Sequence, residues 1–267
     1  MIMKNEILNQ LPADFPWRES LHWFDSIDST NTRAKLMARQ GAPHGTLVIS
    51  GHQSAGRGRM GRDFHSPEGL GIYLSLILRP ECTPKNIMNL TCCIGVAMCD
   101  AVEAVCGIRP GIKWINDLIL GSKKLGGILT ELSMDPQCEN VEYVIAGIGI
   151  NCLHQKEDFP EDLQDKATSL AMNGIHAEPA ALAAAMIQAL YRMDTTPYPE
   201  RTRTMAQYRK DCVTLKKDVL VIRGDSTRPG KAWDVDDEGA LAVVFPDGTC
   251  QLVNSGEVSV RGIDRYV

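Results

Sequence analysis

Apolar and polar positions along the chain switch repeatedly between a two-residue and a 3.6-residue period, which predicts short strands interleaved with helices. After a polar lead-in, residues 21–27 read as a first strand. The Asp28-Ser29-Thr30-Asn31 cluster then supplies capping groups for a helix running to about Arg39. Residues 46–50 and 72–78 are β-rich runs, joined by a long loop with turn signals at Pro67, Gly69 and Gly71. Thr83-Pro84 marks the entry and Gly107 the exit of an apolar helix over most of 86–106, a helix suited to covering a sheet. Cys92, Cys99 and Cys106 recur every seven residues on it and predict small buried side chains on one face. Three more strands are expected at 111–115, around 125–133 and at 141–150, the first two linked through 118–120 and a Gly121-Ser122 turn. Helices follow at about 179–193 and 199–212. From Leu215 the texture changes to short alternating runs broken at Asp237-Glu238-Gly239, Asp247-Gly248 and Ser255-Gly256, which predicts a small β-barrel. The expected division is a mixed α/β domain over 1–214 and a small domain over 215–267 that leans on it, since roughly fifty residues bury little core alone.

Composition narrows the class without fixing it. The chain has 267 residues, 44% hydrophobic and 23% charged, with a formal net charge of -5, as in an ordinary globular protein. Residues 1–17 do not resemble a secretory signal, and no run approaching the ~20 apolar residues of a membrane span is expected. A cytoplasmic protein without membrane contact is the expectation. The nine cysteines are scattered, without a CxxC pair, and the six histidines do not cluster, so free thiols are expected and no metal ligand is assigned. His52 and His65 flank the loop described next, where a solvated histidine is the ordinary outcome.

Chemistry concentrates first in Gly56 to Arg62, GRGRMGR, three arginines among three glycines in an acidic chain. Glycine lets backbone approach a ligand and arginine offers a planar fork to carboxylate or phosphate. The match to GxGxxG is not a dinucleotide fingerprint, because Pro67, Gly69 and Gly71 follow where a helix would have to start. A solvated turn and a nucleic-acid contact stay open for the loop alone. The sequence pI of about 5.7 and the lack of interleaved aromatics favour a small anion over a polyanion. A second cluster is Lys113-Trp114-Ile115-Asn116-Asp117 with Lys124-Leu125-Gly126-Gly127 across a hairpin. Alternation sets Lys113 and Trp114 on opposite faces; taken alone, this is also a surface lysine beside a core tryptophan. Gly126-Gly127 inside a strand marks close backbone approach. Ser29, Thr30, Asn31 and Gln53 together offer what a neutral, amide-like ring needs for recognition. Gly147-Ile148-Gly149-Ile150-Asn151 ends another strand with small residues and a polar tip.

In this order DSTN, HQSAGRGRMGR, KWIND, KKLGGILTE, GIGIN and GEVSVRG resemble the biotin protein ligases, from about Trp23 to Arg261. The resemblance implies a catalytic domain related to class II aminoacyl-tRNA synthetases and a C-terminal SH3-like barrel. It implies ATP-dependent attachment of biotin to a lysine of a biotin carboxyl carrier protein through biotinyl-5′-AMP, with biotin, ATP and Mg²⁺ required. Ser29, Thr30, Asn31 and Gln53 look like ureido contacts, with Arg57, Gly58, Arg59, Lys124, Gly126 and Gly127 also on the biotin side. Arg57, Arg59 and Arg62 would surround the phosphate, with Phe64, Asn116, Asn151 and Arg261 on the nucleotide side and Lys113, beside Arg59, as principal cation at the reacting centre. Ile115 stands where the family usually has proline, and Phe64 where a tryptophan is expected. About twenty residues precede these motifs, which leaves no room for the winged helix-turn-helix of many members, so no DNA binding is expected; a homodimer is compatible. A lipoate or octanoate transferase would share the fold but differ around the ligand loop, and a nucleotide- or RNA-binding module would need a broad basic face.

Overall fold

The computed structural model describes residues 4–196, 201–254 and 259–262, without the side chains of Arg201, Ser259 and Arg261. Its centre is a seven-stranded mixed sheet in the order β1-β2-β3-β7-β6-β5-β4. The strands are β1 (Leu21–Phe24), β2 (Thr46–Ser50), β3 (Gly71–Leu78), β4 (Gly111–Lys113), β5 (Asp117–Leu120), β6 (Lys123–Met134) and β7 (Val141–Asn151). Only β1 and β2 pair in parallel; every other neighbour is antiparallel. The helices are α1 (Lys4–Gln10), α2 (Thr30–Arg39), α3 (Leu90–Cys106), α4 (Pro179–Thr195) and α5 (Arg201–Asp211).

Strand alternation explains the layering. Even-numbered residues of β7 and β3, among them Ile148, Ile150, Leu74 and Leu76, join the main core with α3 and α4. Odd-numbered ones, Tyr143, Ile145 and Ile77, meet Ala34 and Ala38 of α2 in a second, smaller cluster. The α2 face is therefore thinly covered, and its uncovered half is where a ligand can reach the sheet.

Ala, Cys and Val line the buried side of α3, where Cys92 and Cys99 are fully buried as their spacing predicts and Cys106 is half-buried. The segment Pro84–Cys106 is, against the sequence expectation, long and apolar enough to cross a membrane by length and composition, with a mean hydropathy of 1.5. Its burial among α4, α5 and the sheet accounts for that apolarity.

The C-terminal strands β8 (Asp218–Arg223), β9 (Ser226–Val235), β10 (Leu241–Val244), β11 (Cys250–Val253) and β12 (Ser259–Gly262) form a five-stranded antiparallel sheet ordered β11-β10-β9-β8-β12. Among the described residues no pairing joins β11 to β12, so the expected barrel is present as an open five-stranded sheet. The Ser255-Gly256 turn and the Pro199 helix start lie outside the described residues. Helix α1 falls in the stretch read as a polar lead-in; its single buried residue, Ile7, packs into the main core.

Candidate functional site

Register brings the site together. Directly opposed residues of paired strands share a face, and the pairs Lys113↔Asp117, Asp117↔Gly127, Gly127↔Gly149 and Gly149↔Tyr73 make one row across β4, β5, β6, β7 and β3. One cation, Lys113, stands at one end of this row with Asp117 beside it, and glycines lie in the middle. Above it opens a cleft of about 450 Å³, including its mouth. The sequence candidates Ser29, Thr30, Asn31, Gln53, Arg57, Gly58, Arg59, Phe64, Asn116, Lys124 and Gly127 all line it. Leu129, Gly147 and Gly149 complete much of the floor.

The missing side chains at Gly147 and Gly149 shape that floor. A Cβ on Gly149 would stand 2.4 Å from the Phe64 ring, and one on Gly147 would stand 2.0 Å from Asn31 Oδ1. Both neighbours occupy space that any other residue would fill. Gly126 acts differently: its Cβ would meet the Gly149 carbonyl at 2.4 Å, so it serves close strand approach and does not line the cleft.

At the α2 end the groups are neutral. Gln53 Oε1 accepts from the Thr30 backbone at 2.8 Å and from its hydroxyl at 3.1 Å, while Gln53 Nε2 donates to Ser66 Oγ at 2.8 Å. Ser75 Oγ lies 2.8 Å from Thr30 Oγ1 and donates to Asn31 Oδ1 at 2.6 Å. The buried Ser29 hydroxyl makes no capping bond at the start of α2, although Ser29 holds the N-cap position. Such a fixed wall of donors and acceptors recognises a neutral polar ring.

The glycine-arginine loop is a narrow tongue between β2 and β3. Phe64 donates its N–H to the Gly56 carbonyl at 2.8 Å, Arg57 bridges Asp63, and the Gly58 N–H reaches the Arg62 carbonyl at 2.6 Å. Met60 stands at the tip with φ of 56° and is exposed. The tongue's base is tied to the DSTN segment through Ala55 N–H to Asp28 O at 2.8 Å. Its arginines point three ways. Arg59 Nη1 donates to Asn116 Oδ1 at 3.0 Å, and burial pulls its guanidinium below the usual arginine value, partly offset by Asp117. Arg57 Nη2 lies 3.3 Å from Glu131 Oε1, and Arg62 is exposed outside the lining.

On the hairpin, Lys124 Nζ pairs with Asp117 Oδ1 at 2.7 Å and lies 5.9 Å from the centre of the Phe64 ring. Lys124 thus enters the cleft, whereas Lys113 shares the row without lining it. Trp114 turns the other way and is buried, with its indole N–H donating to Gly239 O at 3.0 Å. Asn116 Nδ2 donates to Ile128 O at 2.8 Å, which fixes its oxygen toward Arg59. Asn151 is buried with its amide on Thr168 O at 3.0 Å, outside the lining. Arg261 stands on β12, and its side chain lies outside the described residues. His52 and His65 bond Ser26 and the Asp158 carbonyl and do not line the cleft. Glu131, the last residue of KKLGGILTE, carries no role in the sequence reading; it takes Asn31, Lys35 and Arg57 together, contacts from α2 and the tongue that no local pattern carries.

The cleft therefore offers neutral hydrogen-bonding groups beside α2 and two cations, Arg59 and Lys124, around Asp117 of the hairpin, with Arg57 of the tongue held by Glu131 on the α2 side. Comparison with known proteins bears on what fills it. Residues 23–151 match the model of the biotin/lipoate A/B protein ligase family. The chain is 36% identical over 255 residues to the bifunctional ligase/repressor BirA of Bacillus spizizenii, covering 95% of this chain and 75% of the relative. It is 30% identical over 252 residues to the biotin--[acetyl-CoA-carboxylase] ligase of Mycobacterium tuberculosis, covering 91% and 89%. A solved structure of the Aquifex aeolicus biotin protein ligase with biotin and ATP superposes with a TM-score of 0.75 at 25% identity, covering 91% of this chain and 98% of that one.

Proposed function

The chain belongs to the biotin protein ligases, and from that premise we propose how its residues divide the work of attaching biotin to a carrier lysine at the expense of ATP. The observation that carries the reading is the two-ended cleft: a neutral hydrogen-bonding wall and a cationic end, separated by a glycine floor under Phe64. Biotin has the same division, a neutral ureido ring and an anionic carboxylate. Ser29, Thr30 and Gln53 hold the ring, and Asn31 holds the wall in shape through Ser75. Leu129 and Phe64 give the apolar middle its contacts.

Reaction proceeds in two steps. The biotin carboxylate attacks the α-phosphorus of ATP, the bond to pyrophosphate breaks, and biotinyl-5′-AMP forms. The carrier lysine's amine then attacks the acyl carbon and AMP leaves. The first step brings two anions together and the second develops negative charge as AMP leaves, so the residues act by position and charge more than by covalent chemistry. Lys124 and Arg59 face the reacting centre, with Arg57 on the tongue and Lys113 at the end of the same row as a second cation. Asn116 within the cleft, Arg62 on the tongue and Arg261 of β12 are the nucleotide-side groups, while Asn151, buried on Thr168 O, supports the strand end behind them. Mg²⁺ enters with ATP, bound to its phosphates as part of the substrate. The tongue closes over the adenylate and keeps water from the anhydride.

The acceptor is the biotinyl domain of a biotin-dependent carboxylase, and the reaction is cytoplasmic. A formal net charge of -5 weighs against DNA as a partner. Past its pairing with β5 and the Asn116 contacts of Ile128, the outer edge of β6 from Thr130 to Met134, with Leu132 and Met134 exposed, supports a further chain alongside, including a second copy in a homodimer. The test is incubation with ATP, Mg²⁺, labelled biotin and a carrier domain, with lipoate as competitor. Label on the carrier's lysine, undiminished by lipoate, is expected; preferential lipoate transfer overturns the assignment.

A further inference from the structure

An enzyme that gathers a carboxylate and a triphosphate has little reason to keep another carboxylate near its cations, since like charges disfavour one another. Glu131 of β6 is nevertheless there. Its Oε1 is 2.5 Å from Lys35 Nζ of α2 and 3.3 Å from Arg57 Nη2 of the tongue, and its Oε2 accepts from Asn31 Nδ2 at 2.9 Å. Burial raises the pKa of this carboxyl, but the hydrogen bonds from Lys35 and Asn31 and the charges of Lys35 and Arg57 outweigh it, so the net shift is downward.

The partners explain how the charge is tolerated. Lys35 neutralises it from the side of α2, away from the lining residues. Arg57 meets it through one terminal nitrogen, and a guanidinium carries five N–H groups, which leaves others for a ligand oxygen. Asn31 is held in one orientation, with Ser75 donating to its oxygen and Glu131 accepting from its nitrogen. One carboxylate thereby fastens the tongue's first arginine and the neutral wall to the same point of β6.

We propose that Glu131 is a positioning residue that aims Arg57 at the phosphate and, through Asn31, links the filled ring pocket to tongue closure. This rests on reading the cleft as the biotinyl-adenylate site. Glu131→Gln retains an acceptor for Asn31 and removes the charge that faces Arg57. The experiment preforms biotinyl-5′-AMP on the full chain, removes free ligand, and follows release; biotin affinity and thermal melting are measured in parallel. Release about fivefold faster is expected, the size of one ion pair outside a dry interior, with biotin affinity within about twofold of the parent. Arg57→Gln, which also loses the ligand contact itself, should release at least as fast, and the double variant should release no faster than Arg57→Gln alone, because Glu131 acts on the phosphate through Arg57. Unchanged retention in Glu131→Gln, effects that multiply in the double variant, or a loss of biotin affinity and melting temperature in step with retention would each overturn the proposal. A parent chain that forms no biotinyl-adenylate would instead overturn the reading of the cleft.

Discussion

Two glycines of β7, two residues apart, face the same cleft but give way differently. Gly149 has the Phe64 ring over it, at the far end of a side chain on a tongue that can swing, so Gly149→Ala displaces the ring and leaves the strand intact. Gly147 has Asn31, which is buried and tied to Ser75 and Glu131, so Gly147→Ala has to break a satisfied network. Gly149→Ala is expected to raise KM for biotin by about tenfold with little change in melting temperature, whereas Gly147→Ala should cost about 1–3 kcal/mol of stability as well. Thermal melts beside biotin titrations separate the two, and equal melting temperatures would refute the distinction. From sequence alone the GIGIN stretch says only that small residues end a strand. Which atom each glycine makes room for depends on Phe64 and Asn31, more than eighty residues away along the chain, and no local pattern carries that.

At the scale of elements, local signals were strongest where caps and turns agree with periodicity. The DSTN cluster starts α2 with Ser29 at the N-cap, Thr46–Ser50 forms β2 as read, and Gly107 in the left-handed region ends α3. α1 went unread because seven residues with one buried side chain give no usable period. In the β4–β5–β6 hairpin the motifs place both lysines at the site, and the resemblance ranks Lys113 as the principal cation without the register that decides which of them enters the cleft. Ranking requires register, and the irregularity between Leu118 and Ile119 shifts Lys124 onto the face of Asp117 and the cleft. Lys124→Ala is therefore expected to lower biotin-dependent ATP/pyrophosphate exchange by about 10²–10³-fold, the range for removing a group aimed at developing charge, and Lys113→Ala by about tenfold. A larger loss in Lys113→Ala would move the principal cation back to β4, where the motif alone had put it.

Across the whole molecule, the turn between β9 and β10 of the five-stranded sheet packs against the hairpin and helices of the main sheet. Asp236 Oδ1 accepts from the Glu238 and Ala240 N–H groups at 3.0 and 2.8 Å, which folds the turn, and Gly239 sits at φ of 89°, where an added Cβ would stand 3.1 Å from Cys92 Sγ. Trp114 donates to Gly239 O, Asn89 at the head of α3 to Asp237 O at 2.8 Å, and Arg209 of α5 to Val235 O at 2.5 Å. Tyr208, on the same helix, donates to Ile115 O at 3.3 Å. The turn is thus wedged against the residues that carry Lys113 and Asn116, a contact 125 positions apart in sequence that the expectation of a leaning small domain could not locate. Trp114→Phe keeps an aromatic ring but removes part of the indole's volume and leaves the Gly239 carbonyl without its buried donor, a loss of at least about 1–3 kcal/mol or a few degrees of melting temperature. If the wedge also sets the turn that presents Asn116 to Arg59, pyrophosphate exchange measured well below the melting range falls severalfold while biotin binding, on the α2 side, holds. A variant that melts earlier but exchanges pyrophosphate at the parent rate would reduce the small sheet to a stabilising support with no hold on the chemistry.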